Sequence, residues 1–339
     1  MSRTAAELPL AQSLGDPAGV GPELIAEAWA QREPCGLPPF FVVGGQSLLA
    51  EAARSRGLSL STAAIASPAE AASVFPDALP VLALDDAPYR PGEPDAEGAR
   101  LALASLTEAT RLTVAGAASA LVTGPIAKAR LAEVGFTHPG QTEFVAEACG
   151  ITADGAVMML AGPQLRTIPL TVHVALAEVP RRVTAALIEG KARIIAAALA
   201  RDFGLARPRI AVAALNPHAG EDGRMGREEA EVIAPAIARL RAEGLDITGP
   251  HPADALFAPH ARGDYDAALC MYHDQALIPL KALDFDAGVN VTLGLPVIRT
   301  SPDHGTAFAI AGRRLANPGA MIAAIRMAGE CAVRRGLGL

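Results

Sequence analysis

Aromatic residues make up only 4% of the 339 residues, with one tryptophan and three tyrosines, so alanine and the branched aliphatics must build any core. Cysteine is scarce too. Cys35, Cys149, Cys270 and Cys331 are scattered with no CxxC pair, which excludes a disulfide framework or zinc ribbon and leaves buried reduced thiols. No excess of base exists: 29 Lys and Arg face 36 Asp and Glu, a net charge of −7. Nucleic-acid affinity rests on phosphate neutralisation, so no nucleic-acid partner is expected. No uncharged apolar run reaches the about 18 residues a membrane span needs. Residues 1–14 lack a charged stretch followed by an apolar one, so no leader is read and a soluble cytoplasmic protein is expected. Two phosphate-binding fingerprints, GxGxxG and GxxxxGK[ST], are missing as well.

The apolar half of the chain, 51%, suffices for a sizeable core, and the length suggests about two domains. Short apolar runs alternate with Ala/Glu/Arg-rich stretches, the pattern of strands joined by crossover helices. Strands are expected at 8–14, 40–43, 81–84, 120–122, 156–160, 167–172, 210–215, 267–271 and 289–293, and helices at 22–31, 95–115, 142–149, 179–203, 227–242 and 318–334. The last helix but one opens with Glu228, Glu229 and Glu231 and closes with Arg239 and Arg241, which suits the helix dipole. Residues 85–93, rich in Pro and Asp, read as a surface loop. With no long linker, two closely joined α/β lobes are favoured.

Four segments can hold chemistry. GDPAGVGPE, from Gly15, follows the first strand and opens a helix, a setting either for an anion at helix N–H groups or for a tight turn. Three histidines, His173, His218 and His273, each follow an apolar strand. Ligands gather at the carboxyl ends of strands in open α/β sheets, so three imidazoles there could share a divalent ion. A single strand-end histidine is more often a hydrogen-bonded structural residue; three in one setting bring the two readings level. Asp254 and Asp274 could orient an imidazole, complete a metal shell or simply cap turns. Lys281, Asn290 and Arg299 lie close together in sequence, and the two cations suit an anionic substrate if they are not merely solvated. Finally, Ser301 to Ala307 supplies small residues that allow a backbone to approach a ligand or to turn.

Taken together, GDPAGVGPE from Gly15, TGPIAK from Thr123, NPHAGEDGRMG from Asn216, PADALF from Pro252, MYHDQALIPLK from Met271 and GVNVTLGLPVIRTSPDHGTA from Gly288 resemble the 4-hydroxythreonine-4-phosphate dehydrogenase family of pyridoxal phosphate biosynthesis. The resemblance spans nearly the whole chain. It implies an isocitrate/isopropylmalate dehydrogenase-like fold, with a first α/β lobe of residues 1–125 and 300–339, a second of 126–299, and a cleft between them. It implies oxidation of 4-phosphohydroxy-L-threonine with NAD or NADP, and decarboxylation to 3-amino-2-oxopropyl phosphate.

By the same resemblance His173, His218 and His273 hold one divalent metal (zinc, magnesium, cobalt or manganese) at a homodimer interface. Gln141, Thr142, Lys281, Asn290 and Arg299 contact substrate, and His304, Gly305, Thr306 and Ala307 meet the nicotinamide cofactor. Lys281 is the candidate for proton transfer, with Asp254 and Asp274 as competitors. Two departures stand out. Gln141 and Ala127 occupy positions where the family shows histidine. A glutamine donates a hydrogen bond but cannot become cationic, which opens substrate choice to a four-carbon sugar-acid phosphate or a dihydrodiol dicarboxylate.

Overall fold

The computed structural model describes residues 8–336. The first seven residues, part of the stretch 1–14 read above for a leader, and the last three, within the expected first lobe, lie outside them. Strands β1 (Leu10–Ser13), β2 (Phe40–Gly44), β3 (Thr62–Ile65), β4 (Leu79–Ala83) and β5 (Leu121–Thr123) belong to a first compact unit. A second unit holds β6 (Val157–Ala161), β7 (Arg166–Pro169), β8 (Arg209–Ala213), β9 (Asp246–His251), β10 (Ala267–Cys270) and β11 (Val289–Leu293). The chain then returns to the first unit with β12 (Arg299–Pro302). The units change at Ala156/Val157 and Gly294/Leu295, where the sequence suggested 125/126 and 299/300.

In the first unit the strand order is β3-β4-β2-β1-β5-β12, and every pair is parallel. Parallel sheets need helical crossovers on both faces, which is why β1 and β2 are buried at every position. Phe40, Phe41, Leu10 and Leu121 are fully buried there. The helix Ala96–Val114 begins at Asp95, whose carboxylate accepts from the Gly98 N–H at 2.7 Å. Further along it, Ser105 Oγ accepts from Leu14 N at 2.8 Å and donates to Val43 O, joining the helix to the ends of β1 and β2.

In the second unit the order is β11-β6-β7-β10-β8-β9. The β11–β6 and β6–β7 pairs are antiparallel, while β7–β10, β10–β8 and β8–β9 are parallel. Asp284 fastens the β6–β7 turn by accepting from Gln164 N at 3.0 Å and from Gln164 Nε2 at 3.1 Å. The mixed α/β class is therefore as expected. No helix among the described residues is long and apolar enough to cross a membrane.

Two expected helices differ. The one at 179–203 divides into Val179–Arg182 and Ala185–Phe203, because Val183 is extended and Thr184 caps the second piece, its Oγ1 accepting from Leu187 N at 3.2 Å. The one at 227–242 starts as a π turn, Glu229–Ile233, before the α-helix Ala234–Ala242. Glu229 is thereby only 5% exposed, turned inward rather than serving the helix dipole. Strands β3, β9 and β12 and the helices Gln46–Ser55, Lys128–Glu133 and His273–Asp284 had no counterpart in the sequence reading.

The Thr184 cap gives a direct test. Thr184→Ala strands one helix N–H, and a loss of about 1 kcal/mol is expected, read as a lower urea midpoint at unchanged slope. An unmoved midpoint would mean that the break is held by packing alone.

Candidate active site

Adjacency of β7, β10 and β8, all parallel, sends the loops after them out of one edge of the sheet. His173 follows β7, His273 opens the helix His273–Asp284 directly after β10, and His218 follows β8. The His173 and His273 rings lie 5.9 Å apart, centroid to centroid, inclined by 40°. Asp274 Oδ1 stands 2.7 Å from His273 Nδ1, so that nitrogen donates to the carboxylate and Nε2 is left for another partner. A cavity of about 270 Å³ opens over the pair, walled by Thr171, Tyr272 and the apolar Val174 and Leu176. Leu176 is 67% exposed at its rim.

His218 is not drawn into this cluster. Among the described residues no group of three or more His, Cys, Asp or Glu side chains is close enough to hold a metal ion. Donor chemistry in one chain thus supplies two imidazoles with one orienting carboxylate, which fits a divalent ion needing further ligands. Asp254, on the short helix Ala253–Leu256, is exposed. Lys281 lies eight residues beyond His273 on the same helix, about 12 Å along its axis. Asn290 sits in β11, its Oδ1 buried and without a hydrogen-bond partner among the described residues.

The first unit gathers the remaining candidates. Three glycine-bearing blocks that are weak separately meet at the carboxyl ends of β1, β5 and β12. Gly15, at φ 75°, faces Gly124 and Pro125 so closely that a Cβ on it would stand 2.7 Å from Pro125 O. Val20 N donates to Thr306 O at 2.9 Å, joining the first glycine turn to the segment His304–Ala307. Ala307 is left-handed, at φ 49°, and His304 Nε2 is buried with no partner among the described residues. Nothing lies within 4 Å of where a Gly305 side chain would begin. An open small-residue segment beside an unpartnered imidazole nitrogen fits a bound cofactor.

Arg299, 3% exposed at the start of β12, donates from Nη2 to Thr123 Oγ1 at 2.7 Å. Burial pushes its pKa down to about 10, opposed by the Glu143 carboxylate, so it stays cationic at neutral pH. Gln141 begins the helix Gln141–Ala148, whose N-terminus has no side-chain cap, and its Nε2 donates to Gly124 O at 3.0 Å. Thr142 is the next residue of that first turn. Thr123, the hydrogen-bond partner of Arg299, is a candidate that sequence reading passed over, although it opens one of the recognised blocks. Its signal is a hydroxyl at the end of a strand next to Arg299's.

Left-handed backbone marks the same places. His173 has φ 54° and His218 φ 52°, conformations that cost a non-glycine residue about 1–3 kcal/mol and persist only where the surroundings enforce them. Nothing in the composition signals them.

Two α/β units that collect their polar and ionisable groups at strand carboxyl ends follow the plan of an α/β enzyme. Comparison with known proteins narrows that class. The chain belongs to the family described as pyridoxal phosphate biosynthetic protein PdxA, whose model matches residues 37–328. A curated relative from Erythrobacter litoralis, a 4-hydroxythreonine-4-phosphate dehydrogenase, is 63% identical over 327 residues, covering 96% of this chain and 97% of its own. The crystal structure of the Klebsiella pneumoniae 4-hydroxythreonine-4-phosphate dehydrogenase matches with a TM-score of 0.83 at 38% identity, covering 96% of this chain and 99% of that one. A terephthalate 1,2-cis-dihydrodiol dehydrogenase from Burkholderia xenovorans is also similar, at TM-score 0.64 and 30% identity, covering 95% and 98%.

The burial of Arg299 predicts a pH signature. A lysine there, displaced as the arginine is, would have a folded-state pKa well below the free value of ~10.4. Between those values the unfolded lysine keeps its proton while the buried one has lost it, so stability rises with pH across the window. The urea midpoint of Arg299→Lys should climb from pH 8 to 10 relative to the parent; a constant gap defeats the burial account.

Proposed function

We propose that this protein is a cytoplasmic, NAD- or NADP-dependent and divalent-metal-dependent dehydrogenase that oxidises 4-phosphohydroxy-L-threonine and releases carbon dioxide to give 3-amino-2-oxopropyl phosphate. Family membership supports the chemistry. The structural observation behind it is the pair of imidazoles, His173 and His273, one of them anchored by Asp274, at the carboxyl edge of parallel strands.

His173, His218 and His273 are the proposed metal ligands, completed in a homodimer by a second copy of the chain. Exposed apolar side chains of this unit support that assembly: Leu176 at 67%, Ile278 at 65% and Phe285 at 74%. A divalent ion of the zinc, magnesium, cobalt or manganese kind held by these histidines would supply Lewis acidity toward a substrate oxygen. The nicotinamide, beside His304 to Ala307, supplies the hydride acceptor.

The chain's own residues do the rest. Asp274 fixes the tautomer of His273 and is occupied in doing so, which favours Lys281 over Asp274 for moving the substrate proton, with Asp254 the other candidate. Arg299 provides a permanent cation for the anionic substrate. The first turn of the helix Gln141–Ala148, with Gln141 and Thr142, receives the phosphate on open N–H groups. Asn290 orients the substrate through its amide.

A second reading, a dehydrogenase of another hydroxy acid, rests on Gln141. Its amide is neutral and bonded to Gly124 O, and one structural relative is a dihydrodiol dehydrogenase. NADH formation measured with 4-phosphohydroxy-L-threonine, 4-phosphoerythronate and a dihydrodiol dicarboxylate, each with added metal, separates the readings. Turnover of the threonine compound alone upholds the first; turnover of another acid alone moves the protein to the second. His218→Ala should abolish metal-dependent turnover with the fold intact. Full activity after rigorous metal removal would sink the metal role.

A further inference from the structure

After β8 the chain passes Leu215, Asn216 and Pro217 and enters five successive left-handed residues, from His218 (φ 52°) to Asp222 (φ 56°). Four of the five are not glycine, so this turn does not hold itself. The group that holds it comes from the π turn at the front of the helix Ala234–Ala242. Glu229 Oε1 accepts from the backbone N–H of Leu215 at 2.9 Å and of Asn216 at 2.7 Å. Glu229 Oε2 accepts from Asn216 Nδ2 at 2.9 Å, and the same amide donates to Glu228 Oε2 at 2.7 Å. The loop backbone presses on this carboxylate: a Cβ on Gly220 would stand 2.7 Å from Glu229 Oε2, and one on Gly226 would stand 2.3 Å from Asn216 Nδ2.

Three N–H donors within three residues of His218 therefore end on one carboxylate that is 5% exposed. An α-helical start to this segment would aim residue 229 differently. The wide π turn, a form that recurs at functional sites, is what brings the carboxylate under the loop.

We infer that Glu229, clamping Asn216, is the positioning residue that fixes His218 in its left-handed conformation and so presents its imidazole to the metal. The inference rests on the reading of His218 as a metal ligand. Outer groups that orient a ligating histidine commonly change metal affinity ten- to a hundred-fold when removed.

The test uses the whole, metal-stripped protein and titrates Zn²⁺ calorimetrically and Co²⁺ by its visible absorption, in Glu229→Ala, Glu229→Gln and His218→Ala. In Glu229→Ala the Zn²⁺ affinity should fall about ten- to a hundred-fold, with an altered Co²⁺ spectrum and kcat falling more than KM rises. Glu229→Gln keeps the volume and the Oε1 acceptor, so its loss should be smaller but still about three-fold or more. If Glu229→Ala fails to fold, the glutamine variant alone decides. Parental Zn²⁺ affinity and Co²⁺ spectrum in the folded Glu229 variants, alongside loss of metal in His218→Ala, overturn the inference and leave the metal reading intact. Parental metal binding in His218→Ala overturns the metal reading, and the inference with it.

Discussion

Parallel pairing obliges the chain to cross over between neighbouring strands, so the carboxyl ends of adjacent parallel strands lie at one edge of their sheet. Both units are organised by that constraint. In the first, β1, β5 and β12 deliver the segments that hold Gly15, Gly124 and Gly305 to a common edge, where Val20 N meets Thr306 O. In the second, β7, β10 and β8 deliver His173, His273 and His218. Residues a hundred or more apart in sequence, such as His173 and His273 or Val20 and Thr306, become neighbours because strand order places them there.

Strand ends alone do not aim a side chain. The two histidine loops after β7 and β8 both leave the sheet through left-handed backbone at the histidine itself, while His273 starts a helix in ordinary geometry. Each is secured by a different device. Asp274 takes His273 Nδ1, Glu229 takes the amides ahead of His218, and Thr171 Oγ1 donates to Met271 O at 2.8 Å, joining the β7 loop to the β10 loop. In the two loops with left-handed histidines the strained conformation is thus accompanied by a polar contact close by, which helps to hold it.

Much of this was legible in the sequence. Apolar runs such as those at 40–43 and 289–293 mark strands because buried parallel or mixed sheets need continuous apolar faces. Strands β9 and β12 were illegible for the converse reason: DITGPH and RTSP contain too little apolar surface, and the structure uses them at an edge and at a site. The helix Gln46–Ser55 does carry an apolar stripe, Leu48, Leu49, Ala52 and Ala53, which the sequence reading passed over, and His273–Asp284 contains Pro279, which argues against a helix locally but is outweighed by packing on β10 and β7. The three histidines could be singled out because each follows an apolar run. That two of them pair within one chain, and that Glu229 turns inward, depends on strand order and on a π turn, and neither leaves a local signature.

The electrostatics of the first unit bear on what such a site can recognise. Arg299 is wholly buried yet cationic at neutral pH, because even a pKa pushed down to about 10 lies well above it. Gln141 adds no charge, and its orientation is fixed: a carbonyl oxygen can only accept, so the amide turns Nε2 to Gly124 O and its oxygen inward. That oxygen is buried and unpartnered among the described residues. A histidine at the same position would titrate near neutrality and make anion binding depend on pH. With glutamine there, this position adds no titrating charge, the buried Arg299 stays cationic through the physiological range, and the first turn of the helix Gln141–Ala148 adds N–H dipoles that do not titrate at all. Anion binding by Arg299 and this helix turn should therefore follow the ionisation of the anion and not that of either group.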